Sequence, residues 1–510
     1  MEHKESRTGV KRNFFFLALL VACTLSIPFL ISGDYYLSIY TDDLFYYLKI
    51  AQHFVAGDGT TFNGLVQTNG YQPLWQGVII LLTYLSHLTN VDEILLLTCA
   101  IYFLFLAYAV LLDKLMMQSR TAFYMAVMAL NLMTFLQAAL TGMEIALLLP
   151  LMLAYCIEAS KPADRINYIL LGFVGSVVVL TRLDAALFIA IHLSLLFYFH
   201  QLKLSRALRY GLGGLLFPIY LIANYLIYGT VMPISGVAKS VTHFDGALHW
   251  ATFESLFEYG LETSLLNAFM IVAWAFVSLM VLFSKNVRGI NNLVTISICA
   301  FVPVYFIATS IRSDWPIWRW YFYPLNLCFA YFCIILTWKD GFLSVLERGK
   351  SSRGIYILAF FLPYMISISL AGRIGWQLME RNSRHQDALL IREFVDANPG
   401  VYAMGDRAGL PAYLTNVPFI QLEGLVMDKE YIDNLKRYHD ISSLLDHYKV
   451  KYYVVGDPKL SGSDKCFEVK EPSHSNGLSP QIRSKICWPV AAVLNAVEGR
   501  GIYIFRNPKM

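Results

Sequence analysis

Twelve long, almost uncharged apolar runs divide the first 371 residues: Phe14–Ser32, Leu74–Leu88, Ile94–Leu112, Ala122–Leu136, Met143–Ile157, Ile166–Leu180, Ala185–Phe199, Tyr210–Tyr228, Leu265–Phe283, Leu293–Ser310, Tyr321–Trp338 and Gly354–Leu370. A bilayer core of roughly 30 Å is crossed by about 20 mainly apolar helical residues. The runs therefore predict a polytopic α-helical membrane protein. Composition agrees: 57% of the 510 residues are hydrophobic and 15% charged, against roughly 25% charged in soluble proteins. This excludes a soluble enzyme and a disordered chain. Forty Lys and Arg against 36 Asp and Glu give a net charge of +4, too even a balance for a nucleic-acid binder. The expected partners are membrane lipids and molecules carried on them.

Lys4, Arg7, Lys11 and Arg12 precede the first run, as in a signal peptide, but Ile27-Pro28-Phe29-Leu30 continues it without a small-residue cleavage site. It reads as an uncleaved anchor. Loops rich in Lys and Arg face the cytoplasm. The N-terminus and the loops at 114–120, 161–165, 203–209, 285–288 and 339–353 hold 17 basic residues, whereas the alternate loops hold only Lys49, Arg182, Lys239, Arg312 and Arg319. For Lys114 to be cytoplasmic, Leu74–Leu88 and Ile94–Leu112 cannot both cross. The shorter, which follows Pro73, is read as a juxtamembrane or re-entrant helix. About eleven crossings result, with a cytoplasmic N-terminus and an extracytoplasmic tail.

Residues 372–510 contain frequent charges and no spanning run. They are expected to form a separate soluble α/β domain on the extracytoplasmic side, after a membrane domain at 1–371. Val401–Met404 and Lys451–Val455 read as strands, with helical patterns at Lys429–Arg437 and Ile441–Tyr448 between them. Cys466 and Cys487 lie away from the apolar runs, and in an oxidising compartment they are a plausible disulfide; two unrelated thiols are the alternative.

The first outside loop, 33–73, carries the adjacent carboxylates Asp42 and Asp43 where the first span ends. Mutual repulsion and apolar surroundings raise the pKa of such a pair towards the range of a general base. An ordinary helix N-cap is the alternative. Further on, Thr68-Asn69-Gly70-Tyr71-Gln72-Pro73-Leu74-Trp75 leads into the short helix. Glu144 is the one acidic residue within a run, where ionisable groups face a cavity or a partner. His192 reads as a hydrogen-bonded interior residue, and Trp315–Tyr323 as an interfacial aromatic belt. No internal repeat, phosphate-binding glycine loop or metal-ligand cluster is evident.

Asp-Asp-x-x-Tyr-Tyr-x-x-Ile-Ala at 42–51, Gly-x-Gly-x-Thr-Phe-x-Gly at 57–64 and the Thr68–Trp75 segment together resemble the first periplasmic loop of bacterial GT-C glycosyltransferases. Thr141-Gly142-Met143-Glu144, Thr181-Arg182-Leu183-Asp184, Tyr228–Pro233 with Lys239, and Trp318–Pro324 follow in the order of that family. Gly405–Gly409, Gly424-Leu425-Val426 and Tyr452–Val455 are similar to its soluble domain. Gln72 departs from the pattern, standing where many relatives carry His. The resemblance implies inverting transfer of a sugar from a polyprenyl phosphate to a hydroxyl of a glycan, glycolipid or protein. By this likeness Asp42 is the base and Asp43 orients the acceptor or shares the proton. Arg182, Lys239 and Arg319 would meet the donor phosphate, with Arg312 and Lys49 behind them. Asn69, Tyr71, Gln72 and Trp75 would line the acceptor side, Trp75 by stacking on a sugar, with Lys49 and Glu144 as further substrate contacts. No cofactor is expected, although some members hold a divalent metal at such carboxylates. The alternative classes are an O-antigen ligase or polymerase, and a lipid-sugar flippase or transporter.

Overall fold

The computed structural model describes residues 37, 40–115, 131–132, 134–199, 202–240, 248–258, 261–283, 292–313, 315–336, 385–438, 440–461, 466–471, 482–495 and 501–510. The expected spans at 14–32 and 354–370, most of that at 122–136, and the boundary at 371 lie outside these residues.

The described apolar runs become helices, and helices also form at 42–56 in the first loop and at 204–213 in a basic segment. In chain order these are α1 (Asp42–Ala56), α2 (Pro73–Thr89), α3 (Glu93–Leu115), α4 (Ile145–Ala159), α5 (Tyr168–Thr181), α6 (Ala186–Tyr198), α7 (Leu204–Gly213), α8 (Leu216–Tyr228), α9 (Leu261–Phe283), α10 (Asn292–Arg312) and α11 (Tyr323–Leu336). Among the described residues three helices are long and apolar enough to cross a membrane, in α3, α9 and α10. The α7–α8 pair, bent by 49° at its break, makes a fourth if it is one span. Helices α4, α5 and α6 are apolar but shorter. The polarity is inverted relative to a protein in water. Phe283 and Leu226 are 79% and 75% exposed, while Arg182 is 2% and Glu144 1% exposed. Lipid accounts for the first pair and internal pairing for the second.

Local chemistry sets the helix ends. Gly57, at φ 95°, closes α1 in the left-handed region, and Pro73 opens α2, where a missing N–H costs nothing. Helices α5 and α7 cross in backbone contact: a Cβ on Gly172 would lie 2.0 Å from the carbonyl oxygen of Tyr210, and one on Gly213 1.9 Å from that of Ile169. Small residues of this kind replace hydrophobic drive in lipid.

The C-terminal part is an α/β layer. Strands β1 (Tyr402–Met404), β2 (Phe419–Gln421), β3 (Tyr452–Gly456), β7 (Val490–Asn495) and β8 (Gly501–Arg506) form one sheet in the order β2-β1-β3-β8-β7. Its first three strands are parallel, and β8 runs antiparallel to both β3 and β7. The short helix α12 (Gly409–Leu414) follows β1, and α13 (Lys429–Tyr438) and α14 (Ile441–His447) precede β3. A separate antiparallel sheet, β4 (Lys459–Ser461), β5 (Cys466–Glu471) and β6 (Ile482–Ile486), was not anticipated. A disulfide joins Cys466 to Cys487 beside it.

This layer sits on the segment at 57–72 that joins α1 to α2. A Cβ on Gly70 would come within 1.9 Å of the carbonyl oxygen of Leu425, so the two backbones touch. Thr68 donates its hydroxyl to the Met427 carbonyl (2.6 Å), and the Asn63 amide reaches the Met427 sulfur (3.4 Å).

Candidate active site

The site grows from the first turn of α1. Thr41, in extended conformation, is the N-cap residue, so neither aspartate fills that role. The Thr41 hydroxyl and N–H both donate to the Thr141 carbonyl (2.9 and 3.2 Å), pinning the start of α1 to the loop that leads into α4. Gly142 in that loop has φ 79°, and a Cβ there would strike Leu44 at 2.6 Å.

Successive residues on a helix point about 100° apart, so Asp42 and Asp43 have different surroundings. Both oxygens of Asp42 are engaged, accepting the backbone N–H groups of Gly409 and Leu410 at 2.9 Å each. No side-chain hydrogen bond engages Asp43 among the described residues. It is half-buried and lies within electrostatic reach of Lys239, with Asp42, Asp406 and Glu144 as negative neighbours. Burial pushes its carboxyl up to about 7, against the pull of Lys239. Burial takes Asp42 up to about 6, restrained by its two amide donors.

Lys239 stands at the end of the turn Ile234–Ala238 and donates to the Tyr321 hydroxyl (2.8 Å). Burial alone would lower its pKa, but Tyr321 and Asp43 hold the ammonium above its ordinary range. The guanidinium of Arg182 lies 4.1 Å from the centre of the same Tyr321 ring. Arg182 is held between two carboxylates, pairing with Glu144 and with Asp184 (2.9 Å). Asp184 in turn accepts the hydroxyls of Tyr323 (2.9 Å) and Tyr305 (3.2 Å). Two carboxylates balance the charge of Arg182, whereas Lys239 has a phenol as its hydrogen-bond partner.

Several residues expected to touch substrate are bound up in the framework. Trp75 is fully buried, with its indole N–H donated to the Gly142 carbonyl (3.1 Å), so it is not placed to stack on a sugar. Asn69, also buried, donates to Asn224 and Thr230 and accepts the N–H of Ile234 (2.9 Å), tying the first loop to the end of α8 and to the turn that carries Lys239. Gln72 accepts the Leu183 N–H (3.1 Å). Tyr71 lies against the Tyr228 hydroxyl (3.3 Å). Lys49 is buried, donates to the Thr415 carbonyl (2.8 Å), and is lowered by burial to about 8. Arg319 lines a small cavity with Thr134, Asn267 and Asn326, which contains none of the Asp43, Arg182 or Lys239 side chains. His192 is an interior residue, its Nδ1 2.8 Å from the Tyr155 hydroxyl.

The sequence reading missed Asp406 and Glu423, which the C-terminal layer brings into electrostatic reach of Asp43. Burial, together with Asp406, Glu471 and Asp43, raises the Glu423 carboxyl well above the usual range. The Gly405–Gly409 segment was the available signal, and its Arg407 holds φ 65°, a left-handed conformation rare for a side chain of this size. Among the described residues no group of three or more His, Cys, Asp or Glu is placed to hold a metal ion.

The helix bundle and the C-terminal α/β layer together make a fold that recurs among solved structures. Two solved structures share it: ArnT from Cupriavidus metallidurans bound to undecaprenyl phosphate, at 13% identity and a TM-score of 0.52, and the same protein in the apo state, at 12% and 0.51. Each superposition covers 98% of both chains. No protein-family model matches the chain, and no curated protein matches it in sequence.

Proposed function

We propose that this protein is an inner-membrane glycosyltransferase that moves a sugar from a polyprenyl phosphate to a hydroxyl of a cell-envelope glycan, glycolipid or protein on the periplasmic face. The observation that carries the reading is Asp43, a carboxylate without a hydrogen-bond partner among the described residues, within electrostatic reach of the Lys239 ammonium. The fold shared with a structure bound to undecaprenyl phosphate supports a lipid-phosphate donor.

In this mechanism Asp43, not Asp42, takes the proton of the acceptor hydroxyl. The acceptor oxygen bonds to the anomeric carbon from the face opposite the leaving group, and the configuration inverts. The bond from that carbon to the phosphate oxygen breaks, and its electron pair leaves on the polyprenyl phosphate. Lys239 meets the growing negative charge, stabilising the transition state as a preorganised cation does. Arg182, already balanced by Glu144 and Asp184, holds the Tyr321 ring and through it Lys239.

The test offers a panel of polyprenyl-phosphate sugars and native envelope extract to the protein in proteoliposomes. Consumption of one donor with inverted product linkage is expected. Donor turnover restricted to diphosphate-linked glycans, or transbilayer movement without transfer, overturns the proposal.

A further inference from the structure

Asp42 is conspicuous because each of its carboxylate oxygens accepts a backbone N–H from the far end of the chain. Both of its oxygens accept N–H groups at the start of α12, and a Cβ on Gly409 would lie 2.4 Å from the backbone oxygen of Asp42 and 2.8 Å from Oδ2. Glycine is therefore needed for this approach. Lys49, buried on the same helix, donates to the carbonyl of Thr415 at the other end of the segment. Residues seven apart lie on one face about 10.5 Å apart along a helix, and the six residues of α12 span about 9 Å. The two grips match the length of what they hold. Between them, the Phe45 ring packs on Tyr413 at 5.3 Å.

We infer that Asp42 and Lys49 form a two-point clamp that seats the C-terminal layer on α1, making Asp42 a positioning residue that brings Asp406 and Glu423 over Asp43. The clamp stands on the contacts alone. Its consequence for acceptor binding rests on the transfer reading above.

The clamp is tested in the full-length protein by amide hydrogen exchange of residues 405–415, with the sheet strands at 490–506 as the folding control. Asp42→Asn leaves one N–H facing an amide group instead of an oxygen. It should speed exchange in 405–415 by about tenfold or more while the control strands stay protected. Lys49→Met should do the same from the other end, and Gly409→Ala reaches the same contact without changing any charge. In transfer assays Asp42→Asn should raise the acceptor KM by about tenfold with kcat kept within about threefold. Unchanged exchange in all three variants overturns the clamp. Unchanged exchange with loss of kcat in Asp42→Asn also overturns it and returns the base to Asp42. If the wild type transfers no sugar, the exchange results still decide the clamp.

Discussion

At the scale of the residue, a rotation of about 100° between adjacent helical positions gives two carboxylates two roles. Asp43 sits where its charge is costly, with a pKa raised from 3.8 to about 7 chiefly by burial. A carboxyl whose pKa is raised in the folded state contributes most to stability below its unfolded pKa, and that contribution is lost as pH rises through the folded value. Between pH 4 and 7 the wild type therefore becomes progressively less stable on account of Asp43. Asp43→Asn removes this penalty, so its melting temperature in detergent should exceed that of the wild type by a margin that grows up to pH 7 and is constant above it. A variant less stable than the wild type at pH 8 would contradict the burial. The acidic pair was legible in the sequence, but its division of labour was not, because the partners of Asp42 lie 367 and 368 residues away. The buried positions of Trp75 and Asn69 were illegible for a related reason. Polar and aromatic residues in an outside loop suggest ligand contact until the elements that bury them are known.

Among the elements, apolar patterning located the helices well because lipid demands both length and uniform polarity. The run at 94–112 lies within α3, and that at 265–283 within α9. Backbone crossings were not legible, since they depend on which glycines face one another. The α5–α7 contact is the clearest case. Gly172→Ala would drive a methyl group towards the carbonyl of Tyr210, and overpacking of this kind costs about 1–3 kcal/mol. A lower midpoint of thermal unfolding in detergent, with unchanged helical content at 20 °C taken as roughly ambient, is the expected result. In the C-terminal layer, alternating β-rich and helical patterns identified β1, β3, α13 and α14. The strands from β4 onward lack that alternation with helices and were missed. The exposed pattern of β7, with Val490 and Val493 39% and 48% exposed, gives little hydrophobic signal of a buried strand.

For the whole molecule, the proposed site draws on both halves of the chain. The membrane half supplies Asp43, Lys239, Arg182 and Tyr321, and the C-terminal layer supplies Asp406 and Glu423 while gripping α1 through Asp42 and Lys49. Charge bias between loops had already placed Arg182 and Lys239 on the same side as the acidic pair. It could not separate them from Arg319, which has the same charge and loop class but lines a cavity that contains neither of them. The central claim is that Asp43 is the base for sugar transfer. The most direct test is the initial rate of transfer in proteoliposomes across pH, for wild type, Asp43→Asn and Asp42→Asn. Since the base must be ionised, the wild-type rate should rise with a midpoint near pH 7 and level off above it. Asp43→Asn should lose about 10²–10⁴-fold at every pH while still binding donor, and Asp42→Asn should keep its turnover at saturating acceptor. An Asp43→Asn protein that transfers sugar at the wild-type rate would contradict the account.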